Sequence, residues 1–243
     1  MSKIKIAVAG CLGRMGQEIV KQVIKNKKII FIGGFEHKSH PKKNKSLKEV
    51  TSINSNIIVA DNPIQSIKEA DVLIDFTTPT STLLNAKIAA SHKTAIVIGT
   101  TGISEAQKNK IKNYSKKIPI LMSSNMSLTV NLIFNLVNQT ASILNDEEYD
   151  IEISETHHKH KKDAPSGTAL TLGEVAALGR KTTLKKKMVL DRTNKKVARK
   201  KGDIGFSVTR GGEIAGEHTV SFIGEHDRID LVHKANNRSI FVS

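Results

Sequence analysis

The chain has 243 residues, with 38 Lys and Arg against 23 Asp and Glu and a formal net charge of +15. Its 38% hydrophobic content can form one large or two modest cores. No apolar run is long enough to span a bilayer, and the lone cysteine, Cys11, excludes an internal disulfide. The charge invites a nucleic-acid reading, but only 4% of the residues are aromatic and none is Trp, so stacking platforms are scarce. The basic residues are read as surface bias that also favours anionic ligands, with neither a nucleic-acid nor a membrane partner.

The first residues run straight into a strand pattern without the layout of a signal peptide, which with the single cysteine points to the cytoplasm. Ile4–Ala9 reads as a strand ending in Gly10-Cys11-Leu12-Gly13-Arg14-Met15-Gly16, and a helical pattern follows through Ile24. A second strand, Ile29–Phe35, ends at Glu36. Strand, glycine turn, helix, strand and acid make a dinucleotide-binding layout, with Glu36 placed to reach the adenosine ribose hydroxyls. Glu36 should repel the 2′-phosphate of NADPH. His37 offers that phosphate a hydrogen bond but little charge at neutral pH. Lys38 is read as pointing the other way along an extended strand end. Both NADH and NADPH are expected to work, NADH at least as well at neutral pH, with NADPH gaining as His37 protonates.

The alternation continues through a strand at Val72–Phe76, a helix at Thr80–Ser91 and a strand at Ala95–Gly99. A helix over Ser104–Ser115, capped by Ser104, and a strand at Ile118–Met122 complete it. Loops at the carboxyl ends of such strands carry function, and three fall there: Thr77–Pro79, Gly99-Thr100-Thr101-Gly102 and Ser123-Ser124-Asn125-Met126. Then the pattern changes. A long helix (Ser127–Leu144) is followed by a strand at Asp150–Ser154, a helix over Gly167–Leu178 and a lysine-rich stretch, Thr182–Asp203. Three strand-like runs follow at Phe206–Thr209, His218–Ile223 and Ile229–His233. The expected fold is α/β: a Rossmann-type doubly wound parallel sheet over residues 1–125, and an α+β substrate-binding and oligomerisation domain over 126–243.

Between the two, Glu155-Thr-His-His-Lys-His-Lys-Lys-Asp-Ala-Pro-Ser-Gly-Thr168 concentrates chemistry. Ser166 is a good N-cap, Gly167 lets a ligand approach the backbone, and a helix start binds anions through its unpaired N–H groups. His157 and His158 can exchange protons near neutral pH, and Lys161 adds fixed charge. A metal site would want cysteine or carboxylate ligands at recognisable spacings, so none is expected. The segment reads as a site for a small dicarboxylate.

The glycine turn, Asp75-Phe-Thr, Val97-Ile-Gly-Thr-Thr-Gly102, the histidine segment and Arg210-Gly-Gly-x-Ile-x-Gly-x-His218 occur together and in order. In this the chain resembles the 4-hydroxy-tetrahydrodipicolinate reductases of bacterial lysine and diaminopimelate biosynthesis over nearly its whole length. The resemblance implies that His157 is the general acid, Lys161 a second catalytic cation and His158 a substrate contact. It implies that Gly167 and Thr168 bind a substrate carboxylate. Gly10 to Met15, Glu36, Gly99 to Thr101 and Ser123 to Met126 would line the cofactor, in a homotetramer. In the mechanism it implies, a nicotinamide hydride adds to an unsaturated, nitrogen-containing ring, His157 supplies the proton, and domain closure excludes water.

Two features depart from the family pattern. Asn125-Met-Ser-Leu-Thr-Val-Asn131 stands where relatives read Asn-Phe-Ser-Val-Gly-Val-Asn, and relatives continue past Ser243 into a helix returning to the nucleotide domain. Ser239–Ser243 therefore reads as the beginning of an element, and a cofactor-dependent melting temperature is expected. Two rival readings are a non-catalytic dinucleotide-binding regulator with a basic nucleic-acid surface, and another Rossmann oxidoreductase such as an aspartate dehydrogenase. Scarce aromatics speak against the first and the Pro-Ser-Gly-Thr string against the second.

Overall fold

The computed structural model describes residues 2–193 and 197–237; Ser239–Ser243 lies outside them. The chain divides after Ser124 into two compact units.

The first unit runs β1 (Ile4–Ala9), α1 (Arg14–Lys25), β2 (Ile29–Phe35), α2 (Leu47–Val50), β3 (Val59–Ala60), α3 (Pro63–Ile67), β4 (Val72–Asp75), α4 (Pro79–His92), β5 (Ala95–Ile98), α5 (Glu105–Tyr114) and β6 (Ile120–Met122). Its strands form one parallel sheet in the order β3-β2-β1-β4-β5-β6, the doubly wound arrangement the sequence implies. The strands read as largely apolar runs because both faces are covered. Ile6 and Val8 of β1 join Ile19, Val20 and Val23 of α1 in one cluster. The alternate residues, Ala7 and Ala9, join Ala86 and Ala89 of α4 in the other. The order reverses between β1 and β4, so the loops after these strands border a crevice where ligands bind in such sheets.

Asp75 holds that edge together. It is fully buried and has no cationic partner among the described residues. Neutral donors satisfy its carboxylate instead: the Thr77 N–H (3.0 Å) and hydroxyl (2.6 Å), the Thr82 hydroxyl (3.2 Å), the Asn85 amide (2.9 Å) and the Thr100 hydroxyl (3.4 Å). Thr78 and Ser104 cap α4 and α5, the latter in a capping box with Gln107.

The second unit runs α6 (Leu128–Ile143), β7 (Asp150–His157), α7 (Gly167–Gly179), α8 (Leu184–Lys187), β8 (Met188–Val189), β9 (Ile204–Arg210), β10 (Gly216–Ile223) and β11 (Arg228–Ala235). The mixed sheet has the order β11-β10-β7-β9-β8, with β7 central, parallel to β9 and antiparallel to β10. Val130, Ile133, Phe134 and Val137 of α6 and Leu172 and Ala176 of α7 pack on Ile151, Ile153, Phe206, Val220 and Phe222 of the sheet's inner face. The strand expected over Asp150–Ser154 runs on to His157, because Glu155 and His157 continue the inward row begun by Ile151 and Ile153. The lysine-rich stretch is tied down by Arg199, which reaches Glu152 (3.0 Å), Asp150 and the Ile151 carbonyl (3.1 Å).

Replacing Asp75 by Ala leaves several buried donors without an acceptor. The expected cost is about 3 kcal/mol, read as a lower urea midpoint of the first unit.

Candidate functional site

In the first unit the turn after β1 is shaped for close backbone approach. Gly10 has φ +64°, and a Cβ on Gly16 would lie 2.0 Å from the Gly10 carbonyl oxygen. The N–H groups of Gly10 and Gly13 are engaged with Phe35 O and Gly10 O, and that of Leu12 donates to Glu36 Oε1 at 2.7 Å. Gly13 caps α1 without any side-chain bond and no acid occupies the first turn. The N–H groups at Arg14 and Met15 thus open an uncapped helix, an anion site by geometry and dipole.

A pocket of about 630 Å³ beside this turn is lined by Gly10, Leu12, Gly13, Glu36 and His37, with Phe35, Pro63 and Leu84 among its apolar walls. Its size and lining suit an adenosine. Lys38 and His40 line it as well, which corrects the expectation that Lys38 points away. The strand ends at Phe35, and His40 N–H bonds back to His37 O (2.8 Å), so the chain turns where extension was expected. Ser39 holds Nδ1 of His37 at 2.7 Å, leaving Nε2 for a ligand.

Two residues expected along the cofactor offer it less than anticipated. Cys11 is fully buried, its side chain packed in the α1 cluster, and burial pushes its thiol up to about 12, so only its backbone borders the turn. Thr100 is 7% exposed, and its hydroxyl is engaged with Thr77 N–H (3.0 Å), Thr82 (2.8 Å) and Asp75. Gly99 is pressed on Phe76, with room for no Cβ, and Thr101 is exposed. Ser123 N–H bonds Ile98 O (3.1 Å), and Ser124 ends the unit. Asn125 belongs to the second unit, where its amide donates to the Thr168 hydroxyl (3.2 Å) and its Oδ1 accepts Ser127 N–H (2.9 Å). Met126 is half-buried beside it. Thr129, in the place of the family's glycine, hydrogen-bonds His233 Nε2 at 3.0 Å.

The second unit builds the chemical cluster. Ser166 caps α7 as expected, its hydroxyl accepting from Ala169 N–H (3.2 Å), while its own N–H donates to Glu155 Oε1 (3.0 Å). Among the described residues this leaves the N–H groups of Gly167 and Thr168 as the unengaged pair of the first turn, a geometry able to hold an anion. Glu155 Oε1 also accepts from Arg210 Nη2 (2.8 Å), and Arg210 reaches Asp163 O. Glu155 Oε2 stands 3.6 Å from both His157 Nδ1 and His218 Nε2. Lys161 Nζ lies 2.8 Å from both oxygens of Asp163, which leaves one of its three N–H donors for a substrate carboxylate. His158 leaves the sheet, its N–H bonded to Ile214 O.

Glu155, Arg210 and His218 were quoted in the sequence only as parts of motifs; the structure brings them to His157. Burial opposes ionisation of Glu155, but the close approach of His218 and the hydrogen bonds from Ser166 and Arg210 outweigh it and hold the carboxyl well below its ordinary range. Burial, with His218 and against the pull of Glu155, lowers His157 to about 4. That overturns the expectation of a free histidine titrating near neutrality. The donor atoms of Glu155, His157 and His218 lie within 4.8 Å of one another, close enough to tempt a cation, yet Arg210 already neutralises the carboxylate.

One unit shaped to hold a nucleotide and another shaped to hold an anion beside a proton-handling cluster define a two-domain, dinucleotide-dependent oxidoreductase. Comparison with known proteins narrows this class. Residues 4–126 match the family model for dihydrodipicolinate reductase, N-terminus, and residues 129–243 the model for its C-terminus. The chain belongs to the dihydrodipicolinate reductase family. It is 43% identical over 240 residues to the 4-hydroxy-tetrahydrodipicolinate reductase of Parvibaculum lavamentivorans, covering 98% of this chain and 88% of that one. It is 40% identical over 238 residues to that of Ralstonia nicotianae, covering 98% and 90%. A solved dipicolinate-bound dihydrodipicolinate reductase from Paenisporosarcina sp. TG-14 superposes with a TM-score of 0.75 at 25% identity, covering 99% of this chain and 91% of that one. Neither rival reading is favoured by these relatives.

His157 gives this site a measurable signature. Its folded value, about 4, lies below the unfolded value near 6.5. The unfolded chain therefore binds the extra proton first, and stability falls as pH drops from 6.5 towards 4. By pH 5 the loss from this group is about 2 kcal/mol. His157→Gln should remove that portion, so the variant's melting temperature should fall less than wild type between pH 7 and 5.

Proposed function

We propose that this chain catalyses the NAD(P)H-dependent reduction of 4-hydroxy-tetrahydrodipicolinate, the reaction its curated relatives are named for, in lysine and diaminopimelate biosynthesis. The observation that carries the reading is the unengaged Gly167 and Thr168 amide pair, tied through Ser166 and Glu155 to His157. A proton donor and a carboxylate cradle are thereby fixed in one frame. The dipicolinate of the solved relative is a planar dicarboxylate of the class such a cradle accepts.

When bound, the nicotinamide cofactor supplies a hydride. The residues of this chain do the rest. The uncapped start of α1 receives the pyrophosphate, and Glu36 accepts hydrogen bonds from the ribose hydroxyls. The amides of Gly167 and Thr168 hold one substrate carboxylate, and the remaining donor of Lys161 meets substrate charge. His158 and Ser166 flank the cradle. His157 delivers the proton to the ring atom that gains negative character. It is neutral in the free protein, so a dianionic substrate arriving beside it raises its proton affinity and charges it where the proton is needed.

The reading extends to assembly and place. One face of the second sheet is covered by α6 and α7, while Ile223 and Val232, both at least one-third exposed, lie on strands β10 and β11. Leu128, Leu132 and Leu136 form an exposed stripe on α6. Surfaces of this kind are suited to further copies of the chain, and a homotetramer in the cytoplasm is the arrangement we infer. No helix among the described residues is long and apolar enough to cross a membrane.

The test is loss of nicotinamide absorbance when substrate is generated in situ by the preceding pathway enzyme; no turnover by the wild-type chain overturns the reading. His157→Gln should lower kcat by about 10²–10⁴ and leave cofactor affinity unchanged. For cofactor choice, Lys38→Ala should lower kcat/KM for NADPH by about tenfold, from lost phosphate contact, and spare NADH. With His37 and His40 both beside the pocket, His37→Ala should also lower the NADPH-to-NADH ratio of kcat/KM.

A further inference from the structure

We propose that Glu155 is a positioning residue that acts through His157, its Oε1 aiming the carboxylate cradle and its Oε2 holding the charged imidazole during proton delivery. The proposal rests on the reaction assigned above and adds to it a residue that touches neither substrate nor cofactor.

The two oxygens of Glu155 have different surroundings. Oε1 is saturated by Ser166 N–H and Arg210 Nη2, at 3.0 and 2.8 Å, and so fixes the residue from which Gly167 and Thr168 follow. Among the described residues Oε2 is buried with no hydrogen-bond partner, and so is Nδ1 of His157, 3.6 Å away. A buried carboxylate oxygen and a buried ring nitrogen left apart in this way are each costly. A small closure after His157 gains a proton satisfies both, because Nδ1–H then donates to Oε2. The proton to be delivered then resides on Nε2, and the imidazolium gains a charge-assisted bond that the neutral ring lacks.

The groups facing His157 agree with this reading. Arg210 pairs it from β9, His218 packs edge-on from β10 with ring centroids 5.0 Å apart, and Lys161 approaches from the following loop, itself paired with Asp163. His233 lies beyond His218 on β11. Glu155 is the one negative group in contact with the ring among these. Without it, the cations and His218 act on His157 unopposed.

The experiment compares wild type, Glu155→Gln and Glu155→Asp by kcat against pH at saturating substrate and NADH, with circular dichroism melting and NADH binding to establish folding. The alkaline limb of kcat reports loss of the proton from His157 in the complex. Glu155→Gln should move that limb down by about one pH unit, from removal of a nearby opposite charge. Glu155→Asp keeps the charge and pairs Arg210, so it remains measurable if the Gln variant does not fold. It should move the limb in the same direction but less, with kcat about tenfold lower through the displaced cradle. A folded variant whose limb stays at the wild-type position, whatever its kcat, overturns the proposal. An inactive wild type would instead overturn the assigned reaction, so the two failures are distinct.

Discussion

Placing an ionised carboxylate where water cannot reach it costs several kcal/mol unless its oxygens are met by donors. Glu155 is 2% exposed, and the second unit is arranged around that constraint. Arg210 at the end of β9, Ser166 at the start of α7 and the histidines of β7 and β10 converge on its two oxygens. The same bonds that make the burial tolerable set the direction of α7 and hence of its free amides. Active-site geometry and local stability are here one set of contacts.

Asp75 in the first unit solves the same problem differently. It too is buried, but hydroxyl and amide donors fill both of its oxygens and no cation is recruited. The result is a rigid brace between β4, β5 and α4, with no donor site open for chemistry. Glu155 differs in keeping Oε2 one donor short. An unfilled acceptor beside a titratable ring is a reason for that ring to change its protonation when the local charge changes. We read the incompleteness as functional, since buried groups are otherwise satisfied.

The parallel sheet was legible because strands covered on both faces must be largely apolar, as Ile6–Ala9 and Val72–Ile74 are. The glycine turn, the Ser166 cap and the Ser104 cap were legible because each is local chemistry. The segment from Leu47 to Ile67 was not: its two helices and one strand are two to five residues long and carry no period. β7 was cut short at Ser154 because the inward positions after it, Glu155 and His157, are polar and break the apolar alternation that marks a strand. Lys38 was misdirected for the opposite reason, an assumed extension where the chain turns. Roles for Arg210 and His218 were out of reach, since they depend on strand register across separations of 55 and 63 residues from Glu155.

The depressed proton affinity of His157 at first contradicts its assignment as an acid. In the free protein the ring sits among Arg210, Lys161 and His218 with little solvent, and the neutral form is favoured. On the proposed reading, a dicarboxylate would bring two negative charges into that field and raise the ring's proton affinity, with Glu155 behind the ring. On that reading the acid would be charged by the molecule it protonates. Selectivity for a dianion would then come partly from the proton, because a ligand with one carboxylate would raise the ring's proton affinity less.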